Sequence, residues 1–75
     1  MNAPKIGDAC HEEWADDSSV ERGTVYQVLR DGKVFFYGLA GDGAHEARYD
    51  ETRGAFFAIS PTGVSDFRVK VVLDN

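Results

Sequence analysis

Several of the usual structural signposts are missing from this chain. There is one cysteine, Cys10, so an internal disulfide is excluded, and with it the stapled scaffold of many small secreted proteins. No apolar run approaches the ~20 residues that span a bilayer. The C-terminal Val71-Val72-Leu73 is too short for an anchor, and the opening MNAPKIGDAC has no apolar stretch of signal-peptide length. These absences predict a soluble protein of the cytoplasm, acting inside a host cell. Length is also short: 75 residues allow one domain and exclude a complete nucleotide-binding α/β fold or two domains with a cleft between them. Positive charge is scarce. Eight Lys and Arg face thirteen Asp and Glu, for a net charge of -5. That disfavours a dedicated nucleic-acid binder, whose phosphate affinity rests on basic side chains.

Aromatic and apolar residues are present in quantity. At 12% and 43% of the chain they are too many for a disordered tail. The acids are unevenly placed. Asp8, Glu12, Glu13, Asp16, Asp17 and Glu21 lie in a stretch with no Lys or Arg, while the rest of the chain is close to neutral. Residues 1–7 read as a flexible tail, 8–23 as an acidic segment and 24–73 as sheet, all in a single domain spanning 1–75.

The strongest local signal is Asp31-Gly32, set between Thr24–Arg30 and Lys33–Ala40, two runs rich in β-branched and aromatic residues. Asp-Gly supplies the positive φ angles of a type I′ hairpin turn. The implied register pairs Arg30 with Lys33, Leu29 with Val34, Val28 with Phe35 and Tyr26 with Tyr37. One face then carries Val25, Gln27, Leu29, Val34 and Phe36, and the other Tyr26, Val28, Phe35, Tyr37 and Leu39. Both are apolar, so both need cover, from Trp14 in the acidic segment or from a second copy in a homodimer.

Further turns punctuate the chain. Gly41-Asp42-Gly43 precedes a strand over His45–Asp50 with His45, Ala47 and Tyr49 on one side. A helix over Ala44–Arg53 competes, with Gly54 as its cap, but the strand is preferred. Asp50–Gly54 reads as a hairpin loop leading into Ala55–Ile59, and Ser60-Pro61-Thr62-Gly63 as a turn with Pro in its favoured second place. Val64–Leu73 alternates as a last strand. The expected fold is mainly β: a small five-stranded antiparallel meander, curled or closed into a small barrel. The acidic segment is expected to hold a short helix over Asp8–Asp17 with Asp8 as N-cap. Helical spacing would stack Asp8, Glu12 and Asp16, and Glu13 with Asp17.

The acidic series has three readings. It is a solvated, solubilising face, or a surface complementary to a basic groove on a partner protein, or a metal site. Carboxylates at this density resemble nucleic-acid phosphates in charge and would steer the chain onto such a groove. The partner-binding residues expected on that reading are Glu12, Glu13, Trp14, Asp16, Asp17 and Glu21, with Trp14 as aromatic anchor. Metal binding is disfavoured by spacing: no Cys-x-x-Cys, His-x-x-x-His or calcium-loop pattern occurs. Gly38–Gly43 lacks the Lys-Ser/Thr of a phosphate loop and reads as a turn. His45 with Asp42, Glu46 and a distant Cys10 offers no spacing that defines a nucleophilic dyad. No catalytic residue, cofactor or metal is implied.

In size, charge and lack of catalytic residues the chain is similar to small acidic inhibitors made by phages and mobile elements, including anti-CRISPR proteins. That resemblance implies a non-enzymatic inhibitor that occupies a nucleic-acid-binding surface of its protein partner. Strand count and turn spacing also resemble Tudor-like and OB-like barrels. The alternative is accordingly a small barrel that binds single-stranded nucleic acid or a peptide through Phe35, Tyr37 and neighbouring bases drawn from Arg30, Lys33, Arg48, Arg53, Arg68 and Lys70.

Overall fold

The computed structural model describes residues 3–16 and 18–74. Six antiparallel strands follow one another around a closed barrel: β1 (Ala9–Trp14), β2 (Val20–Leu29), β3 (Val34–Leu39), β4 (Asp42–Asp50), β5 (Ala55–Ile59) and β6 (Ser65–Leu73). β6 pairs with β1, so the sheet has no open edge. The small antiparallel barrel of the sequence reading is therefore present, with six strands in place of five. The additional strand comes from the acidic segment. Cys10 and Glu12 of β1 turn inward, while His11 and Glu13 face outward. The expected helix over Asp8–Asp17 is replaced by this strand and the hairpin after it. β1 has a β2 strand on one side and β6 on the other, and both ladders satisfy its backbone. A helix there would bury no comparable apolar stripe and would stack like charges.

The Asp31-Gly32 turn keeps its left-handed centre, but the loop is wider than expected: Arg30 (φ 52°) is left-handed too, and Arg30 and Lys33 lie outside the strands instead of pairing in them. Asp31 (φ 55°, ψ 37°) and Gly32 (φ 85°) take left-handed angles, and the Lys33 amide donates to the Arg30 carbonyl at 3.0 Å. Leu29 and Val28 pair with Val34 and Phe35 as predicted. Beyond them a bulge between Val25 and Gln27 shifts the register, and Val25 rather than Tyr26 opposes Tyr37. Val25 enters the core and Tyr26 lies exposed beside Phe36, at 6.2 Å between ring centroids. The barrel's own interior takes the hairpin face that bears Phe35, Tyr37 and Leu39. Residues 42–50 form a strand, and the preceding turn is narrower than expected, since Asp42 already belongs to β4. The Gly63 amide closes the predicted Ser60–Gly63 turn on the Ser60 carbonyl.

The core consists of Cys10, Val25, Phe35, Tyr37, Leu39, Ala47, Phe56 and Val71. Phe35 meets Phe56 edge-on at 4.8 Å, and Tyr49 meets Phe56 at 5.2 Å. Gly23 marks a tight crossing: a Cβ there would lie 2.6 Å from the Gly38 carbonyl oxygen. Residues 3–7 of the expected tail lie against the barrel. Pro4 is buried, and Gly7 and Asp8 exchange backbone hydrogen bonds with Val25. This segment lies at the end of the barrel that holds the Arg30–Lys33 and Glu51–Gly54 turns; a shallow cavity there is shared by Pro4, Gly32, Tyr49 and Phe56. The opposite end, formed by the β1–β2, β3–β4 and β5–β6 turns, is open.

Candidate functional site: the acidic barrel mouth

The open end has a cavity of about 720 Å³, bounded by Glu12, Trp14, Glu21, His45, Ile59 and Asp66 among others. Strand pairing explains why these side chains converge. Directly opposed residues of an antiparallel pair share a face. Glu12 opposes Glu21 on β2 and Val71 on β6; His45 opposes Tyr37; Asp66 opposes Ala58. All take the inward face. Toward the plugged end that face is apolar, and toward the mouth it becomes acidic.

Glu12 is the floor of the site. It is 4% exposed, the one charged residue counted in the buried set among the described residues. Tyr37, fully buried, donates its hydroxyl to Glu12 Oε2 at 2.6 Å across the barrel interior. Trp14 donates its indole Nε1–H to Oε1 at 3.0 Å. Burial, then the Glu12 carboxylate, push the Tyr37 hydroxyl far above its ordinary range, so it stays a donor. Tyr37 in turn stacks on His45 at 5.6 Å. The carboxylate is thus held in one orientation by two neutral donors.

The sequence-expected residues divide. Glu12, Trp14 and Glu21 come together at the mouth. Glu12, however, is interior and not part of an exposed docking face as expected. Glu13 points outward, where the His11 imidazole bridges it at 2.8 Å and Asp74 at 2.6 Å. Asp16 lies exposed in the turn after β1, and Asp17 falls outside the described residues. Tyr37 and His45 were weighed in the sequence only for other roles, Tyr37 as a stacking ring and His45 as a dyad member, and Asp66 was not singled out; the pairing of Tyr37 with His45 across the β3–β4 hairpin brings the first two to the mouth. Asp66 is clasped by its neighbour Arg68, whose Nε and Nη2 each donate at 3.0 Å and hold the carboxyl below its usual range.

Burial also fixes the surroundings of two other residue sets singled out in the sequence. Phe35 and Tyr37 are both 0% exposed, so neither ring offers a face to a nucleic-acid base. Of the bases proposed to accompany them, Lys33, Arg48, Arg53 and Arg68 each pair with an acid, respectively Glu51, Glu46, Asp50 and Asp66. Cys10 is buried, and desolvation with nearby Asp74, Glu12 and Asp8 pushes its thiol up to about 11, which leaves little nucleophilic thiolate at neutral pH. It and His11 project to opposite sides of β1.

Comparison of the chain with protein-family models, curated proteins and solved structures finds no match. No helix among the described residues is long and apolar enough to cross a membrane.

Proposed function

We propose that this chain is a non-enzymatic protein-interaction module whose open, acidic barrel end docks on a basic surface of a protein partner. The observation that supports this reading is the convergence of Glu12, Glu21 and the sole tryptophan, Trp14, at one cavity whose lining, among the described residues, carries no Lys or Arg. Exposed Asp16 extends the negative surface along the adjoining hairpin. Charge complementarity of this kind speeds encounter and fixes orientation, and a half-exposed tryptophan at the centre is a suitable anchor. A basic surface that suits this end would also suit a phosphate backbone. Occupying it would exclude nucleic acid, which makes the module an inhibitor of its partner.

The test is affinity capture from nuclease-treated lysate of the source cell at low and high salt. The parent protein is compared with a variant carrying Glu13→Lys, Asp16→Lys and Glu21→Lys, and with a control carrying Glu51→Lys and Thr52→Lys at the opposite end. A nucleic-acid-binding partner retained by the parent and the control, released by salt and lost from the triple variant is the expected result. Equal retention by the triple variant overturns the docking reading.

A further inference from the structure

We infer that the barrel mouth is a receptor for one cationic side chain, lysine or arginine, presented by the partner; the inference rests on the docking reading above and assigns the chemistry of its central contact. Three independent observations carry it. First, Glu12 is buried with only neutral donors, Tyr37 and Trp14, and no Lys or Arg pairs with it among the described residues. A buried carboxylate ordinarily has a cationic partner, because neutral donors replace only part of the lost hydration. Second, Glu21 stands directly opposite Glu12 on the same face. Like charges so placed oppose one another, and a cation between them relieves both desolvation and repulsion. Third, these carboxylates do not sit on a flat surface. They line an open cavity of about 720 Å³, walled in part by Trp14.

The shape and lining narrow the class of ligand. A cavity of this volume admits more than a bare ion, and no group of three metal-ligating side chains occurs among the described residues. An anion would meet two carboxylates. An apolar side chain would leave both without compensation and strip their water. A lysine or arginine matches instead: its alkyl stem can lie along the Trp14 and Ile59 walls while its head reaches the Glu12 floor. Asp66 stays with Arg68 on the rim and contributes no free charge. The remaining volume receives the backbone on either side of the inserted residue.

Because Trp14 is the only tryptophan, its fluorescence reports on the mouth directly. The intact protein is titrated with N-acetyl-Gly-Arg-Gly amide, with its lysine counterpart, and with the citrulline peptide as a neutral isostere. The arginine and lysine peptides are expected to change Trp14 emission saturably, with dissociation constants of roughly 1 mM, weak as suits one side chain. Citrulline should bind at least about tenfold more weakly, and Glu21→Gln should weaken arginine binding about three- to tenfold. Glu12→Gln should weaken it further; if that variant fails to fold, the exposed Glu21 still decides the question. Equal binding of citrulline, or unchanged binding by folded Glu21→Gln, overturns the inference. So does the absence of any emission change together with unshifted Glu12, Trp14 and His45 amides in a nitrogen–proton correlation spectrum. Peptide binding without loss of partner capture in the charge-reversed triple variant would keep the pocket and remove the docking reading. Capture lost in that variant, with no peptide effect, would do the opposite.

Discussion

At one end of the barrel the chain's own residues 3–8 lie against the fold, with Pro4 buried and Phe35, Phe56 and Tyr49 packed within. At the other end the interior face carries Glu12, Glu21 and His45 and is left open. The same six strands supply both ends, so the difference lies in the side chains, not in the sheet. A small domain has little apolar surface with which to stabilise itself. Here that surface is concentrated toward one end, and the other carries buried and opposed carboxylates that weaken folding. Sites that lower stability in this way are commonly where function resides.

The comparison can be broken most forcefully at the packed end. Phe35→Ala should cost about 3–5 kcal/mol in urea denaturation, enough to leave much of the protein unfolded. A cost close to that of a surface substitution would mean that the core does not lie where the packing places it. Tyr37→Phe probes the boundary between the ends. It deletes one of the two donors to buried Glu12 and should cost about 1–3 kcal/mol by the same measurement. A neutral result would mean that water entering through the mouth satisfies Glu12, and that the acidic end is wetter than its burial implies. Glu21→Gln should act in the opposite direction, stabilising the fold by about 0.2–1 kcal/mol through relief of the opposed pair with Glu12. A destabilising outcome would show that Glu21 holds the mouth together.

The smallest effect belongs to the seam between β1 and β6, where His11 spans Glu13 and Asp74, with Arg22 also 3.9 Å from Asp74. The bond to Glu13, then those to Asp74, raise the His11 pKa above its ordinary 6.5. The folded state therefore binds the proton more tightly than the unfolded one. Its contribution is complete below pH 6.5, while the carboxylates remain ionised, and fades as pH rises through the raised value. The stability difference between the parent and His11→Gln, followed by denaturation across this range, should narrow with rising pH. A constant difference would assign His11 a packing role only.

Turn chemistry made most of the sheet legible. Asp31-Gly32, Gly41-Asp42-Gly43, Asp50–Gly54 and Ser60–Gly63 mark four of the five connections, and the runs between them alternate as strands do. β1 was hidden by Glu12. Glu12 occupies an inward position where an apolar side chain would have completed the alternation with Cys10 and Trp14, and its spacing from Asp8 and Asp16 imitated a helix face. The bulge at Tyr26 was also illegible. It is imposed by closing the barrel, a global requirement that no local pair of residues records. The candidate site followed the same pattern. Sequence drew attention to Glu12, Trp14 and Glu21 by charge density, but their meeting with Tyr37 and His45 depends on strands far apart in the chain.

Closure of β6 onto β1 also has a consequence for attachment. Cys10 lies beside Leu73, the Asp74 amide bonds to the Ala9 carbonyl, and Ala3 lies by Gly32 and Tyr49, so both ends of the described chain lie at the plugged pole. A tag, a bead or a fused domain joined at either terminus would hold the barrel by its back, with the acidic mouth presented outward. A circular permutant that links those ends and reopens the chain in the Ser60–Gly63 turn would reverse this arrangement, placing both new termini at the mouth while leaving every strand pairing in place.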